Sequence, residues 1–142
     1  LPWIAAIDKF QHWIYTNKHT SKQRKEQWVK INNEFGNQVI DWSGYESALL
    51  NQWQKQLHLY EVPFYYIEYG MAQLGAIAIW RNHKLNGQIA LESYKNALKL
   101  GYTETISDIY STAGISFDFS SNYIKELADF TSKELDVVAN KT

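Results

Sequence analysis

Apolar residues recur at intervals of three and four positions through most of this chain, and this periodicity limits the fold more than any other feature. Near the start of the chain they lie at Trp3, Ile4, Ile7, Phe10, Ile14 and Tyr15. Such spacing places apolar side chains on one face of an α-helix. Residues 115–120 alternate in the manner of a strand, but no neighbouring segment offers them a partner strand. The pattern predicts an all-α fold of about seven helices.

Capping and helix-breaking residues set the predicted boundaries. Thr20 or Ser21 can cap the second helix, and Ser43 with Glu46 has the Ser-x-x-Glu spacing of a capping box. Pro63 is suited to the first turn of the fourth helix. The predicted helices cover about residues 2–17, 21–35, 43–60, 63–80, 87–100, 103–113 and 120–138.

Length, charge and cysteine content limit the class of protein. A chain of 142 residues with 45% hydrophobic content is expected to form one globular domain, residues 1–142. A net charge of -1 provides no positive field for nucleic acid or for an anionic membrane. The absence of cysteine excludes disulfides and thiolate-bound metals. With neither a membrane-spanning segment nor a leader in the sequence, we expect a cytoplasmic protein.

Residues 56–70 concentrate the groups that could carry chemistry. They contain His58, two glutamates and four tyrosines, and the spacing of Tyr65, Tyr66 and Tyr69 puts these three phenols near one face of the fourth helix. Imidazole and phenol can donate hydrogen bonds to a peptide carbonyl and stabilise the oxyanion formed when water attacks it. Alternatively, the tyrosines fill the core and His58 caps the end of the third helix, where a positive charge suits the helix dipole. The residues alone leave both readings open.

No complete catalytic motif is present. The helical zinc motif H-E-x-x-H is absent, and so are a serine elbow with a histidine partner and a phosphate-binding glycine loop. Asp8 and His12, which lie four residues apart on the first helix, fit either a local polar pair or part of a site. No two of the histidines lie within four positions of each other; they are His12, His19, His58 and His83.

The fourth helix is unusually rich in small residues, namely Gly70, Ala72, Gly75, Ala76 and Ala78. Glycine inside a helix costs about 1 kcal/mol relative to alanine. The two glycines therefore indicate either a second backbone packed very close or a ligand lying along this face.

Several runs of sequence resemble one family of peptidases. They are FQHWIY at 10–15, QLH at 56–58, EVPFYYIEYG at 61–70, AQLGA at 72–76, AGI at 113–115 and FDF at 117–119. Together they resemble the C-terminal part of the oligoendopeptidase F branch of the thimet-oligopeptidase-like zinc peptidases. The resemblance covers essentially the whole chain.

The resemblance implies a mostly helical, clam-shaped enzyme that cuts short peptides in a deep channel. In this family the zinc ligands, two histidines of H-E-x-x-H and a later glutamate, lie upstream of the matching segment. The downstream histidine and tyrosines, which bind substrate and stabilise the tetrahedral intermediate, correspond to His58, Tyr65, Tyr66 and Tyr69. Which tyrosine reaches the carbonyl stays open.

The zinc ligands and the catalytic glutamate of the family are missing from this sequence. The resemblance therefore implies a C-terminal portion of the catalytic domain of a zinc metalloendopeptidase, with Zn²⁺ bound in the parent enzyme and no metal ligand in residues 1–142. We expect this portion to be inactive alone. Its expected partners are short peptides and the upstream part of the same polypeptide, with no nucleic acid and no membrane.

A different class of function also fits an all-α chain. Residues 90–101 are reminiscent of one helix of a tetratricopeptide-type pair, which would make the protein a non-catalytic helical peptide-binding module. The sequence shows no self-similarity at the 34-residue period of such repeats.

Overall fold

Helices form all of the regular secondary structure in the computed structural model, which describes residues 1–36 and 39–140. The α-helices are α1 Pro2–Thr16, α2 Ser21–Phe35, α3 Glu46–Asn51, α4 His58–Glu61, α5 Ile67–Asn86, α6 Gln88–Leu100, α7 Ile106–Thr112 and α8 Ser121–Ala139. A 3₁₀ helix, Gln52–Lys55, lies between α3 and α4. The described residues contain no strand. The all-α prediction is confirmed, with eight α-helices in the described residues in place of about seven.

Local capping signals were reliable where the cap has no competing partner. Thr20 caps α2: its hydroxyl accepts a hydrogen bond from the Gln23 N–H at 3.3 Å, and the Gln23 side-chain oxygen accepts one from the Thr20 N–H at 2.8 Å. Gly87 and Gly101 flank α6, and Ser120 caps α8. These boundaries agree with the predicted ones.

The predicted third helix, residues 43–60, was wrong. Ser43 does not cap it, because its N–H and hydroxyl both donate to the Asp41 carboxylate, at 2.9 and 2.7 Å. Tyr45 occupies the N-cap position of α3 instead, without a side-chain hydrogen bond to the helix. The helix then breaks at Gln56, whose backbone is extended at φ -85° and ψ 92°. As a result His58 begins α4 rather than ending a helix, and it does not cap a helix C-terminus.

Two later helix starts were also placed too early. The sequence predicted that the fourth helix begins at Pro63, but α5 begins at Ile67 and Pro63 lies in the preceding turn. The short helix α7 follows its cap, Thr105, rather than beginning at Thr103. The hydroxyl of Thr105 accepts from the Asp108 N–H at 3.2 Å, which is the capping geometry that fixes the later start.

The chain divides into two compact units, Leu1–Met71 and Ala72–Thr142. The core of the first unit comprises Ala6, Ile7, Phe10, Trp28, Ile31, Trp53 and Leu59. Trp28 contacts the rings of Trp3 and Phe10 edge-on, with centroids 5.5 and 5.3 Å away. Its indole N–H donates to the Leu49 carbonyl at 3.0 Å. This core holds α1 and α2 against the segment that leads to His58.

The second unit buries mainly small residues: Ala78, Ala90, Ala97, Ala113 and Leu127. The Trp80 ring of α5 meets the Phe130 ring of α8 at 4.8 Å. A Cβ added at Gly75 would lie 2.7 Å from the Tyr110 hydroxyl oxygen. At Gly75 a phenol side chain, not a second backbone, makes the close approach. The prediction of one domain for residues 1–142 concerns both units and stays a prediction.

Candidate functional site

A tight turn connects the helix that begins at His58 to the helix that carries Tyr69. The Tyr65 N–H donates to the Val62 carbonyl at 3.2 Å, with Pro63 second in the turn and Phe64 third at φ 63°. This is the pattern of a type II turn, in which glycine usually takes the third position. The Phe64 ring lies against His12 and Tyr15 of α1, with centroids 4.9 and 5.5 Å away. These contacts hold Phe64 in the left-handed region at a cost of about 1 kcal/mol.

The four predicted site residues come together around the imidazole of His58. Its ring centroid lies 4.8 Å from that of Tyr66, 5.6 Å from that of Tyr69 and 6.3 Å from that of Tyr65. The Tyr69 ring stands at 88° to the imidazole and at 89° to the Tyr65 ring. We call His58, Tyr65, Tyr66 and Tyr69 the histidine–tyrosine cluster.

Members of this cluster differ in exposure. Tyr66 is half-buried and packs against the core of the first unit. The side chains of Tyr65 and Tyr69 are on the surface, with exposed fractions of 42% and 46%. The two readings of the sequence therefore each describe part of the cluster: one tyrosine fills space at the core, and two face solvent beside His58.

Tyr60, the remaining tyrosine of residues 56–70, lies apart from the cluster. Its ring stacks on Trp53 with centroids 6.3 Å apart and planes at 26°. Partial burial raises the pKa of the Tyr60 phenol, and the nearby Arg24 cation opposes that shift. Tyr60 therefore rests one ring face on Trp53 while 54% of its surface stays exposed.

Polar contacts of His58 define the chemistry that the cluster offers. Its Nε2 lies 3.4 Å from the Tyr69 hydroxyl, and its Nδ1 lies 2.7 Å from the amide nitrogen of Gln56. The longer contact is weak by hydrogen-bond geometry. Two donors 3.4 Å apart can both lie about 2.8 Å from a single oxygen placed between them. The pair can therefore hold a carbonyl oxygen and stabilise negative charge on it.

The sequence assigned no site role to two neighbours of the cluster, Trp3 and Gln56. The Trp3 indole N–H donates to the Gln56 side-chain oxygen at 3.2 Å, so Gln56 joins α1 to His58. A polar amide two residues before a histidine is a weak signal for such a contact. Trp3 gives no signal, because it lies 53 positions before Gln56 in the sequence.

Family comparison decides the class of protein. A family model described as Peptidase family M3 matches residues 1–129, most of the chain. The chain belongs to peptidase family M3. No curated protein and no solved structure matches it significantly. Membership supports a peptidase-related function, peptide substrates and a parent enzyme of the metallopeptidase type. The match also covers residues 90–101, on which the tetratricopeptide reading depends.

Peptidases of this family are zinc enzymes, which makes the side chains able to bind a metal ion relevant here. Among residues 1–36 and 39–140, no three His, Cys, Asp or Glu side chains come together to hold an ion. His12 lies 3.6 Å from Asp8 and forms the local pair suggested by the sequence. His58 has phenols and an amide around it. These residues do not fit a zinc site.

In the part of the chain that the structure describes, no helix combines the length and the apolar character needed to span a membrane.

Proposed function

We propose that this chain is the substrate-binding, oxyanion-stabilising portion of a zinc-dependent metalloendopeptidase of the oligoendopeptidase F type that hydrolyses short peptides. Membership of peptidase family M3 supports the peptidase part of the proposal. The role of this portion is supported by one observation above all. His58 Nε2 and the Tyr69 hydroxyl lie 3.4 Å apart on the exposed side of the histidine–tyrosine cluster.

Charge development at the substrate carbonyl gives these two groups their role. When water attacks the scissile bond, negative charge moves onto the carbonyl oxygen. The His58 Nε2–H and the Tyr69 O–H would then turn from each other to donate to that oxygen. A preorganised donor of this kind is worth about 3 kcal/mol in the transition state. Tyr69 is thus the proposed carbonyl-binding tyrosine, while Tyr65 offers an exposed ring for the substrate and Tyr66 packs beneath His58.

The catalytic metal and the general base are proposed to come from polypeptide upstream of residue 1. The described residues of this chain offer no group of ligands for zinc. An H-E-x-x-H helix encoded in frame upstream would supply two imidazoles and a glutamate base.

The experiment compares residues 1–142 with a polypeptide extended upstream from the same gene to include that motif. Both are assayed for bound zinc and for cleavage of a fluorescence-quenched short peptide, with and without a chelator. We expect chelator-sensitive cleavage from the extended polypeptide alone. Stoichiometric zinc on residues 1–142, or chelator-sensitive cleavage by them, would overturn the proposal. So would an upstream coding sequence without the motif.

A further inference from the structure

A chain of hydrogen bonds runs from α1 to the histidine–tyrosine cluster. The Trp3 indole nitrogen lies 3.2 Å from the Gln56 side-chain oxygen, the Gln56 amide nitrogen lies 2.7 Å from His58 Nδ1, and His58 Nε2 lies 3.4 Å from the Tyr69 hydroxyl. An indole N–H can only donate a hydrogen bond. The amide atom that faces Trp3 must therefore be the oxygen.

This orientation of the amide decides where the imidazole carries its proton. With its oxygen toward Trp3, Gln56 presents NH₂ to His58 Nδ1. An NH₂ group donates, so Nδ1 must accept and has no proton, and the single proton of a neutral imidazole is on Nε2. We propose that Gln56 is a positioning residue that holds neutral His58 in the Nε2–H tautomer. Its catalytic consequence rests on the function proposed above.

Trp3 is itself held in place, so it favours a single orientation of the Gln56 amide and thereby a single tautomer of His58. The Trp3 ring stands edge-on to the buried Trp28 ring at 5.5 Å, and the Lys55 ammonium lies 4.7 Å from its centroid on the ring face. A flipped Gln56 amide would direct its NH₂ group at the indole N–H and its oxygen at Nδ1. Two donors would then face each other at Trp3, so the flipped state is disfavoured.

The tautomer matters because only one of the two can stabilise an oxyanion from this position. In the Nε2–H tautomer, the proton lies on the nitrogen that faces Tyr69 and the exposed side of the cluster. In the other tautomer a lone pair at Nε2 would meet the negatively charged carbonyl oxygen. Gln56 thus prepares His58 as a donor before substrate arrives, which is preorganisation of the kind that oxyanion-binding sites use.

Nitrogen NMR tests the assignment without any enzyme activity. Residues 1–142 are prepared with ¹⁵N-histidine, and the His58 signals are assigned by their loss in His58→Phe. Long-range ¹H–¹⁵N spectra at about pH 8.5, where an ordinary imidazole is neutral, distinguish a protonated ring nitrogen from an unprotonated one. We expect an unprotonated Nδ1 and a protonated Nε2. A protonated Nδ1 in the unmodified chain would overturn the inference.

Substitutions at Gln56 give the assignment a second test. Gln56→Glu keeps an acceptor for Trp3 but presents an oxygen to Nδ1, so His58 should switch to the Nδ1–H tautomer. Gln56→Met removes the donor, and both tautomers should appear. The matched control is Gln54→Glu, the same change at an exposed position in the 3₁₀ helix that precedes Gln56. An unchanged His58 spectrum in Gln56→Glu, with the far-UV circular dichroism of the unmodified chain, would contradict the inference.

Kinetics of the upstream-extended polypeptide then separate this inference from the function on which it rests. Gln56→Glu should lower kcat about 100-fold with little change in KM, because one transition-state donor is lost. Gln54→Glu should match the unmodified enzyme. A switched tautomer with unchanged kcat would refute His58 as an oxyanion donor while leaving the tautomer assignment intact. A protonated Nδ1 in the unmodified chain refutes the assignment whatever the kinetics show.

Discussion

Gly75→Ala should fail to stabilise α5, although alanine is normally the better helix former by about 1 kcal/mol. The new Cβ would lie 2.7 Å from the Tyr110 hydroxyl oxygen and 3.1 and 3.3 Å from two carbons of its ring. To reach an ordinary contact of about 3.4 Å, the hydroxyl must retreat by about 0.7 Å. The Phe117 ring, 5.1 Å from that of Tyr110, restricts this movement. Overpacking of this kind costs about 1–3 kcal/mol, so the net change should be destabilising by up to about 2 kcal/mol.

A double-mutant cycle isolates this contact. In a Tyr110→Phe background the 2.7 Å contact is gone and only the ring contacts at 3.1 and 3.3 Å remain, so Gly75→Ala should destabilise the protein less than it does in the unmodified chain. Gly70→Ala in the same helix is the matched control, because its Cβ would lie 3.3 Å from the Ile4 Cγ2 methyl and 3.8 Å from the Ile67 Cδ1 methyl, a milder approach than the one at Gly75. Free energies of unfolding come from urea titrations followed by far-UV circular dichroism. Stabilisation of the unmodified chain by about 1 kcal/mol on Gly75→Ala would refute the reasoning.

Three further predictions concern caps, the turn and pH. Thr20→Ala should lower the free energy of unfolding by about 1 kcal/mol, whereas Ser43→Ala, which removes no helix cap, should change it by less than about 0.5 kcal/mol; equal losses would contradict the two assignments. Position 64 has φ 63°, so Phe64→Gly should be more stable than Phe64→Ala by about 1 kcal/mol and should unfold at a higher temperature. The reverse order would exclude a left-handed backbone there. Burial raises the pKa of the Tyr110 phenol. The stability that the neutral Tyr110 phenol contributes is therefore complete below the unfolded pKa of about 10 and is lost as pH rises through the folded pKa. In urea titrations, Tyr110→Phe should lose less stability at alkaline pH than the unmodified chain does.

Features decided by neighbouring residues were predictable from the sequence. The Thr20 cap, the glycines around α6 and the Ser120 cap each depend on residues three or four positions away. The i, i+3 and i+4 spacing of Tyr65, Tyr66 and Tyr69 predicted one helical face, but this rule holds only for residues that all lie in the helix. The structure adds that two of them, Tyr65 and Tyr66, precede the helix.

Features decided by distant residues were not predictable. The third helix breaks at Gln56, whose side chain bonds Trp3 and His58, and the partnership with Trp3 spans 53 positions. Ser43 had the spacing of a capping box, but Asp41 competes for its polar groups. Phe64 adopts a glycine-like conformation, and its ring contacts with α1 hold it there. In each case a tertiary or competing contact outweighed a local preference.

The central claim is that His58 and Tyr69 hold the carbonyl oxygen of the scissile bond. The most direct test is kcat/KM of the upstream-extended polypeptide carrying Tyr69→Phe, measured beside the same substitution at the fully exposed Tyr102. Loss of one oxyanion donor predicts a fall of about 100-fold or more for Tyr69→Phe and no change for Tyr102→Phe. Turnover by Tyr69→Phe equal to that of the unmodified enzyme would contradict the account.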